Sequence, residues 1–124
     1  IRYIQIPTTI LAAVDSSVGG KTAVDFAGHK NLVGSFWQPS IVFCDTEYFK
    51  TLPARQFSAG VAEIIKYGII CDSDLFLKIE SGRFELEEII EKCVDIKCRI
   101  VEQDTRDNGI RKILNFGHTG RKSA

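Results

Sequence analysis

Residues 7–39 read PTTILAAVDSSVGGKTAVDFAGHKNLVGSFWQP, and the fold of the chain turns on what this stretch is. It is dense in groups that hold an anion and poor in groups that build a core. Gly19, Gly20, Gly28 and Gly34 permit tight turns and a close approach of backbone to ligand. Lys21 and Lys30 bring charge, and Thr8, Thr9, Ser16, Ser17 and Thr22 bring hydroxyls. The only acids in it are Asp15 and Asp25. Gly20-Lys21-Thr22 fits the second half of the phosphate-cradling loop, but the first glycine of that motif falls on Asp15. A carboxylate where a backbone amide should meet phosphate argues against a nucleoside-triphosphate site. A plain Gly/Ser turn and a different anion site remain as readings, and the stretch is expected to be a Gly-rich loop.

Upstream, Ile1 to Ile6 alternates and reads as a short strand stopped by Pro7; Ile10 to Val14 fits a helical turn or a second strand. Downstream, Ile41-Val42-Phe43-Cys44 reads as a short buried strand, and Pro53 as the opening of a short helix. Ala59 to Ile70, AGVAEIIKYGII, carries only Glu63 and Lys66 as charges and is apolar all round, which predicts a buried helix. At about 100° per residue, Glu63 and Lys66 fall roughly 60° apart on one face. A buried carboxylate needs a cation or a metal. Two readings stand: a mutual ion pair, or a metal or substrate site facing a cleft.

Asp72-Ser73-Asp74 predicts a capped helix to Ile79, broken at Gly82. Phe84 to about Asp104 is a long amphipathic helix with Leu86, Ile90, Cys93, Ile100 and Val101 in its stripe. Lys97 falls inside that stripe, so it either snorkels out or reaches an anionic partner. Asn108-Gly109 is a turn, and RKILNFGHT (111–119) then gathers Arg111, Asn115 and His118. His118 reads as a structural hydrogen-bonder or a ligand; His29 reads as structural.

The 124 residues suffice for one small domain with a core. The 16 basic and 16 acidic residues cancel, which leaves no electrostatic case for nucleic acid or a membrane surface. No apolar run reaches membrane-spanning length, and no signal peptide is visible. The chain begins with Ile and has no Met, and so reads as a piece of something longer or processed. Cys44, Cys71, Cys93 and Cys98 form no Cys-x-x-Cys pair. They read as free, mostly buried thiols of a cytoplasmic protein.

Taken together and in order, the 7–39 stretch, AGVAEIIKYGII and RKILNFGHT closely resemble 3-dehydroquinate synthase, a sugar-phosphate cyclase family, from Ile4 to Thr119. The resemblance implies an α/β fragment in two parts. Residues 1–52 would be the end of a Rossmann-like NAD-binding domain. Residues 53–124 would be the first helices of a truncated, all-helical C-terminal domain that binds metal and substrate. It implies NAD contacts at Thr8, Thr9, Lys21, Lys30 and Tyr48, Phe49, Lys50 and Thr51. It implies a substrate pocket of Asp15, Lys21, Asn31, Lys66, Lys97, Arg111 and Asn115. Glu63 and His118 would be two of three protein ligands of a catalytic zinc (or cobalt) ion. The family's Gly-rich NAD turn and third metal ligand are not in the chain. After Thr119 the match stops: Lys122 stands where the family has a second histidine, so Gly120 to Ala124 read as a junction, frameshift or truncation.

The reaction so implied converts 3-deoxy-D-arabino-heptulosonate 7-phosphate to 3-dehydroquinate. NAD takes hydride from C5, phosphate is eliminated, hydride returns, the ring opens and an intramolecular aldol step closes the carbocycle. NAD is regenerated at each turnover, and zinc would polarise the C4 and C5 oxygens. The whole enzyme would be a homodimer taking a sugar acid phosphate. Two other readings are a sister cyclase of the valiolone or inosose type and a non-catalytic nucleotide-binding module.

Overall fold

The computed structural model describes residues 1–118, so the expectation for Gly120 to Ala124 lies outside the described residues. Strand β1 (Ile4–Gln5) pairs in parallel with β4 (Ile41–Val42), Ile4 facing Ile41 and Gln5 facing Val42. Everything between these two strands is an excursion that leaves the small sheet and returns to it. The excursion begins with a wide π-type turn at Ala12–Ser16, closed by Ser17 N donating to Ala12 O at 3.0 Å. Thr9 Oγ1 caps its start by accepting from Ala12 N at 3.1 Å.

The Gly-rich stretch is not a loop. Strands β2 (Lys21–Phe26) and β3 (His29–Phe36) form an antiparallel hairpin with Val24 opposite Val33. The turn is the two residues Ala27 and Gly28, with φ of 51° and 78°. Positive φ at both positions matches the right-handed twist of the strands, which is why such turns close hairpins. The alternation Thr22, Val24, Phe26 was a strand signal that the glycine content masked. Gly34 is a strand residue here: a Cβ on it would stand 2.3 Å from Thr22 O. A bulge lies between Val24 and Phe26, and opposite it Asn31 takes φ 56° while its N donates to Asp25 Oδ1 at 2.8 Å.

A 3-10 turn at Thr46–Thr51 leads to α1 (Ala54–Cys71), which starts just after Pro53. One helix of 18 residues thus covers both the short helix and the apolar helix expected from sequence. Asp72 caps α2 (Ser73–Glu80), accepting from Asp74 N and Leu75 N at 3.0 Å each. After Gly82 (φ 66°) the chain enters α3 (Leu86–Gln103). Asp104 ends it, and its carboxylate accepts from the N–H groups of Asn108, Gly109 and Arg111 at 2.9, 2.7 and 3.0 Å. That one side chain shapes the loop into the final 3-10 turn, Ile110–Asn115.

The core joins the first turn to the helices: Ile10, Ala13, Val14 and Phe49 pack with Ile64, Tyr67, Leu75, Ile89, Cys93 and Leu114. Gly60 makes this possible, since a Cβ there would stand 2.5 Å from Ile10 Cβ. Residues on both sides of the expected 52/53 boundary therefore share one core. Three expectations of burial are corrected. Ile41 is 56% exposed, because a two-stranded sheet has no layer over its faces among the described residues. Helix α1 is buried on one side only, and Ala59, Ala62 and Ile69 face outward. Cys44 and Cys71 are exposed, Cys98 is half-buried, and only Cys93 is in the core.

Candidate active site

Helix α1 buries Glu63 and Lys66 on the face that meets Leu114 and His118. The mutual ion pair is present. Lys66 Nζ pairs with Glu63 Oε1 and also donates to Leu114 O at 2.6 Å. The second oxygen, Glu63 Oε2, lies 3.6 Å from His118 Nε2, and His118 is 57% exposed while Glu63 is buried. Two donors each about 2.0–2.1 Å from a tetrahedral ion stand roughly 3.3 Å apart, so this spacing fits two ligands of one ion. The described residues hold no cluster of three His, Cys, Asp or Glu side chains.

A cavity of about 250 Å³ opens beside this pair. It is lined by Asp15, Lys21, Lys97, Arg111, Asn115 and His118 together with Ser16, Val18 and Leu114. A second, more apolar cavity of about 560 Å³ shares Asp15 and His118 with it and adds Glu63, Lys66, Leu11 and Phe116. Of the expected substrate-pocket residues, six therefore converge on these two adjoining cavities: Asp15, Lys21, Lys66, Lys97, Arg111 and Asn115. Asn31 lies apart, on the hairpin, where it lines a third cavity with Lys21.

The cations are not bare. Lys97, in the apolar stripe of α3, does not snorkel; it donates to Asp15 Oδ1 at 2.5 Å and to Asp15 O. Burial holds its ammonium below the ordinary lysine range, against the pull of Asp15. Lys21 pairs with Asp107 at 2.5 Å. Arg111 is 2% exposed, and its Nη1 and Nη2 donate to Thr105 O at 3.0 Å and Gly19 O at 2.6 Å. An anionic ligand entering here meets cations already balanced by carboxylates or tied to carbonyls. Charge exchange within these pairs, and not a free positive field, is the electrostatic character of the site.

Of the residues expected to meet NAD, Lys21 lines the first cavity and the others lie apart from both. Thr8 and Lys30 are exposed, and Thr9 caps the π-turn. Tyr48 is exposed, Lys50 pairs with Glu47 at 2.6 Å and Thr51 Oγ1 donates to Tyr48 O at 3.4 Å. Phe49 is a core residue, so only its main chain is left for a ligand. Sequence reading missed Asp107 and Gly19, whose partners lie 86 and 92 residues away in the chain. The Asn108-Gly109 turn was the one local sign that this loop held anything.

The fold itself is that of the cyclitol-forming valiolone and inosose synthases. A valiolone synthase from Streptomyces hygroscopicus, solved with NAD+ and Zn2+ bound, superposes with a TM-score of 0.85 at 28% identity, over 94% of this chain and 35% of that one. A 2-deoxy-scyllo-inosose synthase complexed with carbaglucose-6-phosphate, NAD+ and Co2+ gives 0.83 at 34% identity, over 96% and 35%. The sequence narrows this further. A family model for the 3-dehydroquinate synthase N-terminal region matches residues 1–59, and one for the C-terminal region matches residues 60–121. The 3-dehydroquinate synthases of Pelobacter propionicus and Prochlorococcus marinus are 50% and 54% identical over 96% of the chain. This chain belongs to the 3-dehydroquinate synthase family. It spans 35–36% of the length of those curated relatives.

Proposed function

We propose that this chain is the central stretch of a 3-dehydroquinate synthase, converting 3-deoxy-D-arabino-heptulosonate 7-phosphate to 3-dehydroquinate and phosphate. The observation that carries the reading is the convergence of Glu63 Oε2 and His118 Nε2, 3.6 Å apart, on cavities walled by Lys66, Lys97, Arg111 and Asn115. Identity of 50–54% to dehydroquinate synthases, against 28–34% to the valiolone and inosose synthases, favours the heptulosonate over their sugars. The sister-cyclase reading stands second on the same fold.

In this reading residues 1–52 end an NAD-binding α/β domain of Rossmann type, and residues 53–124 begin a helical metal- and substrate-binding domain, which α1 to α3 support. The parent is read as a cytoplasmic homodimer, a state that sedimentation of the whole protein reports. NAD, when bound, supplies hydride acceptance and return, and a divalent ion supplies polarisation of a substrate hydroxyl. Glu63 and His118 would hold that ion, with the third protein ligand contributed from outside this chain.

The chain's own residues do the rest. Lys66 holds Glu63 Oε1, which leaves Oε2 turned toward His118. Asp15, at the border of the two cavities, accepts a hydrogen bond from a sugar hydroxyl. Lys21 and Asn115 meet the carboxylate or phosphate at the open wall, Lys21 exchanging Asp107 for the ligand. Lys97 and Arg111 hold that wall in shape and bring positive charge within reach of the anion. The hairpin, with Asn31 and Lys30, stands between the sugar and the nicotinamide.

The deciding experiment measures phosphate release by the whole protein from the heptulosonate and from sedoheptulose 7-phosphate. Turnover of the heptulosonate is expected. Turnover of sedoheptulose phosphate alone assigns the protein to the sister cyclases.

A further inference from the structure

Three side chains from three different helical segments end on carbonyl oxygens of one short stretch, residues 14–19. Tyr67 of α1 donates its hydroxyl to Val14 O at 2.9 Å. Lys97 of α3 donates to Asp15 O, and Arg111 of the last turn donates to Gly19 O at 2.6 Å. Asp15 O also accepts from Val18 N at 3.1 Å, whereas Val14 O, inside the Ala12–Ser16 turn, is met by the Tyr67 hydroxyl, so these side chains brace the turn and the residues just after it. Lys97 and Arg111 also line the cavity. Tyr67 is 0% exposed and cannot touch a substrate.

We infer that Tyr67 is a positioning residue: through Val14 O it fixes the π-turn that carries Asp15 into the cavity, and with Asp15 the anchor of Lys97. The inference rests on reading that cavity as the substrate site. π-type turns are uncommon and need outside support to persist. Tyr67 gives that support from the residue next to Lys66, so one segment of α1 aligns both the Glu63 pair and Asp15. Burial first, then the charges of Asp15 and Glu63, push the Tyr67 hydroxyl above its ordinary range, so it remains a proton donor at any working pH. A mere core filler in this place needs the ring and not the oxygen. Phenylalanine keeps the ring and leaves Val14 O buried without this donor, a state that relaxes by moving the turn.

Tyr67→Phe in the full-length protein is the test, read in two ways. Hydrogen–deuterium exchange of the amides at 12–18 should rise about tenfold while that of α2 stays unchanged. For the heptulosonate, kcat/KM should fall about tenfold with metal content at the wild-type level, and the fall should vanish on an Asp15→Ala background, because the two residues act in series. Unchanged exchange at 12–18, or losses that add to those of Asp15→Ala, overturns the inference. The exchange readout needs no substrate. A protein inert toward every sugar acid phosphate therefore removes the proposed function, while exchange still decides the role of Tyr67.

Discussion

Glu63 has a different partner on each carboxylate oxygen: Lys66 on one, His118 on the other. Replacing it with glutamine keeps the shape and removes the charge that both partners need. Glu63→Gln should leave less than about a tenth of the bound zinc and cut turnover at least roughly 100-fold, as metal analysis and phosphate release will report. It also strands the Lys66 ammonium in the interior, at a cost of about 3–5 kcal/mol measured by denaturant unfolding. A fully metallated, active variant would reduce Glu63 to an ion-pair partner. The sequence showed that Glu63 was badly placed for a core residue. It could not choose between ion pair and ligand, because the partner of each oxygen, Lys66 on one and His118 on the other, is set by how α1 meets the residues that follow α3.

Asp104 acts on a whole element. Hydrogen bonds from Asn108, then Gly109 and Arg111, hold its carboxyl below the ordinary carboxylate range. A depressed folded value means that the ionised form supports the fold. That support is complete above the unfolded value near 3.9 and is lost as pH falls through the folded one. Asp104→Asn should lower Tm at pH 7, with the gap from wild type narrowing as the scan goes below about pH 4. The packing of the π-turn on α1 is equally local in cause. Gly60→Val sets a side chain on Ile10 and should cost about 1–3 kcal/mol in unfolding free energy, measured by denaturant unfolding. Helix limits were legible because caps are local: Asp72, Gly82 and Pro53 sit where the chemistry of helix ends requires. The hairpin was not, because four glycines drew attention away from an alternation of Thr22, Val24 and Phe26.

At the scale of the molecule, the four thiols report how the core closes. Burial pushes Cys93 up to about 12, while Cys44 and Cys71 stand exposed. A thiol-specific chromogenic reagent at pH 8 should modify Cys44 and Cys71 in the folded protein and Cys93 only on unfolding. Early reaction of Cys93 would mean that the helices do not pack as described. Residues 1–124 alone should form no dehydroquinate, since the described residues bring together no three His, Cys, Asp or Glu side chains that could hold a metal ion. Product formation by the purified piece would overturn that expectation.

What the sequence determined by itself was periodicity, caps and chemical anomaly. The amphipathic stripe of α3 was written in spacing, and Glu63, Lys66 and Lys97 were marked by charge set among apolar neighbours. Tertiary structure alone decided what those anomalies meet. Lys97 reaches Asp15, Arg111 reaches Gly19, and Tyr67 reaches Val14 across 53 to 92 residues of chain. A side chain's partner across such a span depends on how distant elements cross, and no local pattern encodes a crossing.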